Sequence, residues 1–345
     1  MPTNYYVLFF VLIFVLFQGA DNNFASGLLQ YNGKLDVSLI FYATIKGKAE
    51  NSLKSYKSAF SSWKKFALKN ELIVFPMNKV EFTVFLITKA EEGACWSTLN
   101  MYISAAKFFL KLFQKSDASL YLVDTQISNF LKKHCRKPNN KKRPLSKAEF
   151  DRIIKGHSHL LNSILILRNL TLIIFGWIGF MRFSDLSQIR FCNVNVNSNR
   201  IKILLFNAKN DKFKKGQSVN FRLNDDLFNI VMSYIRLSGL KGLSSNKDVF
   251  LFCSINNESC NLFDPISYKE MRLVMYALCD FVGIDTEKIG THSLRIGGCS
   301  EASRRGVPDY ILDFHGRWAL NSCARARYQR VEGEDVFHVS DVLSK

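Results

Sequence analysis

The sequence predicts a mainly α-helical protein with a small antiparallel sheet, arranged as two domains. Three observations carry that expectation. The chain has 345 residues, of which 48% are hydrophobic, so it is long enough and apolar enough to build two cores. Apolar residues recur three or four apart along most of its length, the period of a helix with one buried face. One stretch departs from that period: RIKILLFNAKNDKFKKGQSVNFRL has two β-rich runs on either side of a polar Asn/Asp/Gly-containing centre and reads as a hairpin.

Residues 1–37 form an N-terminal apolar segment and a loop. Tyr5–Ala20 is apolar up to Gln18, too short for a comfortable spanning helix, and MPTN ahead of it has no Lys or Arg to serve as a signal-peptide n-region. Three readings stay open for it: a membrane-directing segment, a buried helix, or a start codon assigned too far upstream. Residues 38–135 read as a small helical domain. Leu53, Tyr56, Phe60, Trp63 and Phe66 make the stripe of its first helix. NKVEFTVFLITKAEEG gives the second, with Gly93 as a stop signal. Ser97 is the expected N-cap of the third, whose apolar face includes Leu99, Ile103, Ala106 and Leu110. DTQISNFLKKH gives a shorter fourth helix.

Residues 136–145 read as a basic linker. The run Lys132, Lys133, Arg136, Lys137, Lys141, Lys142, Arg143 puts seven cations around Pro138 and two asparagines, and a block of like charge stays exposed. It suits a strap along a phosphate backbone, or a nuclear-import signal. The second domain, 146–345, opens on a capping box, Ser146 with Glu149. NSILILRNLTLIIFGWIGF is a core helix, because Arg168 and Asn169 interrupt it. Another helix follows Gly179, then the hairpin, and from Asn224 the pattern is helical to the end.

Lys plus Arg number 47 against 29 for Asp plus Glu, a formal charge of +18. That excess favours a polyanionic partner, either nucleic acid or an anionic membrane surface. The eight cysteines form no C-x-x-C pair and no zinc-ligand spacing with histidine, so they read as reduced thiols in an intracellular protein, and no metal site is expected.

Four places hold basic residues beside structural punctuation. Arg182 follows a glycine at a helix start. Lys209 and Lys212 lie in the hairpin turn. His292 and Arg295 are three apart, hence neighbours on one helix face. Trp318 and Tyr328 close the set. Each alone is what any basic protein carries; order and spacing give the set its meaning. Arg182 to Lys209 is 27 residues, Arg295 to Trp318 is 23, and Trp318 to Tyr328 is 10.

In that order the residues resemble the tyrosine recombinase, or phage integrase, family. GFMRFSDL is similar to the family's first arginine motif, with Asp185 at its acidic position and one extra residue between Gly179 and Arg182. THSLRIGGCSEASRRGV is similar to the second box, and HGRW to the variant with tryptophan at the third active-site position. The compact G-R-W form resembles the recombinases of eukaryotic mobile elements of the Crypton or DIRS kind. The resemblance implies a helical core-binding domain followed by an α+β catalytic domain. It also implies site-specific DNA cleavage and rejoining through a 3′-phosphotyrosine, with no cofactor and no metal. Double-stranded DNA would be the partner, in a homo-tetramer on paired sites, in the nucleus or elsewhere inside the cell.

The chemistry explains the residue types. A tyrosine attacking a phosphodiester conserves the bond energy covalently, so rejoining needs no ATP. Guanidinium forks from Arg182 and Arg295 would hold the non-bridging oxygens as they gather charge. His292 and the Trp318 indole N–H would add donors, with Tyr328 as nucleophile. A departing 5′-oxyanion needs a general acid, which the family places on the hairpin: Lys209, with Lys212 as the fallback. Tyr310 is the rival nucleophile, but it precedes the G-R-W turn. His315 reads as packing or surface. Two other outputs remain open: relaxation of DNA in the manner of a type IB topoisomerase, and a domesticated DNA-binding protein that no longer cuts.

Overall fold

The computed structural model describes residues 44–45, 47–48, 50–112, 123–136, 142–206, 216–243, 248–319 and 324–329. The apolar segment Tyr5–Ala20 lies outside them. The chain divides into two compact units, the first ending at Asn139 and the second beginning at Asn140.

The first unit is helical. Its helices are α1 (Glu50–Lys69), α2 (Lys79–Glu91), α3 (Trp96–Leu112) and α4 (Thr125–His134). Asn78 caps α2 by accepting from the Val80 amide at 2.8 Å, and Asp124 caps α4 by accepting from Gln126 at 2.8 Å. The N-cap of α3 is Cys95 rather than the expected Ser97, because the Cys95 carbonyl already accepts from Thr98 and Leu99. The core is aromatic. Trp63 meets Phe82 and Phe85 edge-on at 5.4 and 5.5 Å between ring centres, and its indole N–H donates to the Val74 carbonyl at 2.8 Å.

The second unit holds α5 (Lys147–Gly156), α6 (Ile164–Ile178), the single turn α7 (Phe183–Leu186), α8 (Asp225–Leu237), α9 (Tyr268–Phe281), α10 (Thr291–Arg304) and α11 (Asp309–Gly316). The Ser146/Glu149 capping box opens α5. Helix α6 is the axis: it is buried along most of its length and packs against α8 and α10. Its two polar interruptions are satisfied inside the protein. Arg168 is fully buried and donates to Glu270 at 2.6 Å and to the Cys253 carbonyl at 2.8 Å, while Asn169 accepts from it. Among the described residues, no helix is long and apolar enough to cross a membrane.

The hairpin is present and carries a third strand. Strands β1 (Val194–Asn197), β2 (Arg200–Leu205) and β3 (Gln217–Arg222) form an antiparallel sheet in that order, with Ile203 opposite Val219 and Ile201 opposite Phe221 facing the core. The purely helical pattern expected after Asn224 is interrupted by a second hairpin, β4 (Cys253–Asn256) with β5 (Ser259–Pro265). Both unforeseen pairings turn on two residues with positive φ, Ser198–Asn199 and Asn257–Glu258. That is the tight mirror-image turn that suits strand twist, made here without the glycine that usually announces it. The seven cysteines among the described residues are free thiols.

Candidate active site

The site lies where the ends of α6 and α11 meet the first half of α10, over a small apolar cluster of Phe180, Cys299, Leu312 and Trp318. Helix α6 stops at Gly179, and the next residue, Phe180, is left-handed at φ +48°. The residue that GFMRFSDL has beyond the family motif falls in this turn. A phenylalanine held there is strained, and its surroundings hold it: the ring packs edge-on against His315 at 4.6 Å and near Trp318 at 6.4 Å. Arg182 then becomes the N-cap of α7. Asp185, one turn later, accepts the Arg182 main-chain N–H at 3.3 Å and lies 3.8 Å from its guanidinium.

Helix α10 supplies His292, exposed in its first turn, and Arg295, fully buried. The Arg295 terminal nitrogens donate to two main-chain carbonyls, Phe180 and, at 2.6 Å, Gly316. Those anchors fix the guanidinium in place. Its carbon lies 4.4 Å from the ring centre of Trp318 and 4.8 Å from that of Tyr328, so the cation sits beside both rings, whose centres are 5.4 Å apart. The Arg295 Nε–H is buried and has no hydrogen-bond partner among the described residues. Behind Arg295 the pair Gly297–Gly298 lets α10 press on its neighbours. A Cβ on Gly297 would meet the Leu145 carbonyl and, at 2.9 Å, the Trp177 indole nitrogen; one on Gly298 would meet the Trp177 carbonyl.

Helix α11 ends at Gly316, over which the Trp318 ring folds so closely that a side chain there would strike it. The Trp318 indole N–H is also buried without a partner among the described residues. Tyr328 follows a 3₁₀ turn, Arg325–Arg327, and is half-buried. Its ring centre is 5.4 Å from Trp318 and 6.1 Å from His292. The segment is tied down in the same chain. Arg325 donates to Asp313 at 2.8 Å and to Asp309 at 2.7 Å, Ser300 donates to the Tyr328 carbonyl at 3.1 Å, and Gln329 donates to Ser303 at 3.0 Å.

Electrostatically the site is an anion trap. Arg182, Arg295 and Arg317 share one carboxylate, Asp185, which Arg317 meets at 2.7 Å. Burial, then the like charges of Arg182 and Arg317, pull the Arg295 guanidinium down to about 9, so it is still cationic at neutral pH. Burial likewise pulls Arg317 down, opposed by Asp185. An excess of two positive charges, with two unsatisfied N–H donors beside a phenol, suits a phosphate that becomes more negative as it reacts.

Arg182, His292, Arg295, Trp318 and Tyr328 are thus brought together. Lys209 and Lys212 lie outside the described residues, as do Lys137 and Lys141. His315 is a packing residue: its Nε2 is 2.7 Å from the Ile178 carbonyl, and burial is the main cause that lowers its basicity. Tyr310 is 68% exposed on α11. In the basic run, Lys132, Lys133 and Arg136 are exposed. Arg143, expected on an exposed strap, is instead half-buried. It clasps Glu149 with two bonds of 2.8 and 2.9 Å and donates to the Asp285 carbonyl at 3.0 Å, because the capping-box carboxylate lies within its reach. Lys142 donates to the Glu287 carbonyl at 3.1 Å. Arg317 is the site residue that sequence reasoning passed over, although it lies inside the HGRW motif.

This fold and this cluster define the catalytic half of a tyrosine recombinase, an enzyme that breaks and rejoins DNA strands. The phage integrase family model matches residues 143–334, more than half of the chain, and the chain belongs to that family. No curated protein sequence matches it. Solved structures show the same fold at low identity. XerH site-specific recombinase bound to palindromic difH substrate, in a post-cleavage complex, is 15% identical over 98% of this chain and 95% of its own, with a TM-score of 0.61. The Tn1549 transposon integrase in complex with circular intermediate DNA is 14% identical over 89% and 99%, at 0.56. A lambda integrase tetramer bound to a Holliday junction is 11% identical over 85% and 76%, at 0.55.

Proposed function

We propose that Arg182 and Arg295 clamp the non-bridging oxygens of the scissile phosphate, that Trp318 Nε1–H and His292 add donors, and that Tyr328 attacks in cis. The Tyr328 Oη–P bond forms and the P–O5′ bond breaks. The tyrosine proton leaves towards His292, and the 5′-oxygen takes a proton from Lys209, with Lys212 as the alternative. Attack by a 5′-hydroxyl reverses both steps, so no co-reactant is consumed. The observation that carries this reading is the placement of Tyr328 against both Arg295 and Trp318 by bonds within its own chain.

Double-stranded DNA as partner is supported by family membership, by the net charge, and by structural neighbours solved in complex with DNA. A tetramer on paired sites follows the lambda integrase example, and residence in the nucleus or elsewhere inside the cell follows the DNA. The G-R-W form in Gly316–Trp318 supports a mobile-element recombinase of the Crypton or DIRS kind.

The test uses a pool of nicked duplexes of randomised sequence. The native protein should form adducts that survive denaturant, and Tyr328→Phe should form none while retaining DNA binding. Adducts undiminished in Tyr328→Phe would mean that another residue attacks. Sequencing the captured DNA supplies the site for rate measurements.

A further inference from the structure

Arg317 follows Gly316 at the end of α11 with φ +55°, in the left-handed region where glycine is the ordinary occupant. An arginine placed there adopts a disfavoured backbone, and its side chain turns inward and is buried. It ends 2.7 Å from Oδ2 of Asp185. The same oxygen is 3.8 Å from the Arg182 guanidinium and 3.3 Å from the Arg182 main-chain N–H. Two guanidiniums therefore face one buried carboxylate oxygen, and Arg317 is the nearer.

We infer that Arg317 is a positioning residue: by neutralising Asp185 it keeps that carboxylate from capturing Arg182, which stays available to the phosphate. A buried carboxylate does not stay unpaired. Without Arg317 the nearest cation is Arg182, which needs to close only from 3.8 Å to form a full ion pair. Arg182 would then be drawn into the protein and away from the substrate. Asp185 cannot simply be absent, because it also caps α7 by accepting the Arg182 amide.

The inference rests on the site proposed above, and the experiment separates the two. Single-turnover cleavage at saturating protein, DNA Kd and Tm are measured for Arg317→Met, which keeps volume without charge, and Arg317→Gly, which also relieves the backbone. Arg317→Lys and the double variant Arg317→Met/Asp185→Asn complete the set. Asp185→Asn leaves an amide oxygen to accept the main-chain N–H at the start of α7 and removes the charge that would capture Arg182. Cleavage should slow by about tenfold or more in Arg317→Met and Arg317→Gly, with Kd within about threefold of the native value. It should recover most of the loss in the double variant and part of it in Arg317→Lys. Native rates in Arg317→Met and Arg317→Gly would overturn the inference. So would a double variant as slow as Arg317→Met, the result expected if Arg317 touches the phosphate itself. Adducts that persist in Tyr328→Phe would instead remove the site assignment, and the inference with it.

Discussion

Trp318 does two things at once in this site. Its ring packs on Phe180 and near Arg295, and its indole N–H is buried with no partner among the described residues. A lone buried donor costs free energy in the resting protein, on the order of 1–3 kcal/mol, and that cost is removed when an oxygen arrives to accept it. Trp318→Phe keeps most of the ring and removes only the donor. It should leave Tm within a few degrees of native and slow cleavage by roughly tenfold, short of the 10²–10³ lost when a main oxyanion donor is deleted. Single-turnover rates alongside thermal melts check this. A rate loss that tracks the loss of Tm would reduce Trp318 to packing. Arg295, Trp318 and Tyr328 could be named as candidates from the sequence because the chemistry proposed restricts which residue types would serve, and the fold brings the three side chains together. Arg317 was not legible as a functional residue, because its importance comes from a backbone angle and a carboxylate 132 residues away.

At the scale of elements, α10 positions the site because it can sit unusually close to its neighbours. Gly297 and Gly298 face main-chain carbonyls of Leu145 and Trp177, which cannot rotate away as a side chain end would. Gly298→Ala should therefore destabilise by about 1–3 kcal/mol or more and lower cleavage with it, since Arg295 lies one turn earlier on the same helix. Chemical denaturation with the cleavage assay tests this; native stability would show that α10 has room the structure denies. Helices were the readable elements: periodicity marked α1, α2, α3, α4 and α6, and the Ser146/Glu149 capping box marked the start of α5, whereas the caps of α2 and α4, Asn78 and Asp124, emerged only from the structure. The β2–β3 pair was visible because its strands alternate and its turn region is polar. Strands β1, β4 and β5 escaped because β1 and β4 have only four residues, β5 buries none of its residues fully, and the turns are Ser-Asn and Asn-Glu. Those dipeptides adopt positive φ only at some cost, so local sequence does not advertise them.

For the whole molecule, a formal charge of +18 on 345 residues sets long-range attraction to DNA, and salt should weaken binding steeply. The basic run is not uniform in this respect. Lys132 and Lys133 are exposed in the last turn of α4, whereas Arg143 is held by Glu149 and the Asp285 carbonyl. Replacing Lys132 and Lys133 by alanine should reduce the slope of log K against log salt by about two, roughly one for each phosphate that a lysine no longer neutralises. Arg143→Ala should lower Tm and leave the slope nearly unchanged. Titrations over a range of salt concentrations separate these outcomes, and a slope change confined to Arg143→Ala would reverse the assignment.

The central claim is that Tyr328, held in cis beside Arg295 and Trp318, becomes covalently joined to DNA. Its most direct test is to capture the denaturant-resistant adduct, digest both protein and DNA, and identify by mass spectrometry the peptide that carries the nucleotide. The expected product is a nucleotide linked through its 3′-phosphate to Tyr328, with a free 5′-hydroxyl on the other strand end. A nucleotide on Tyr310 or any other residue, or a linkage through a 5′-phosphate, would contradict it.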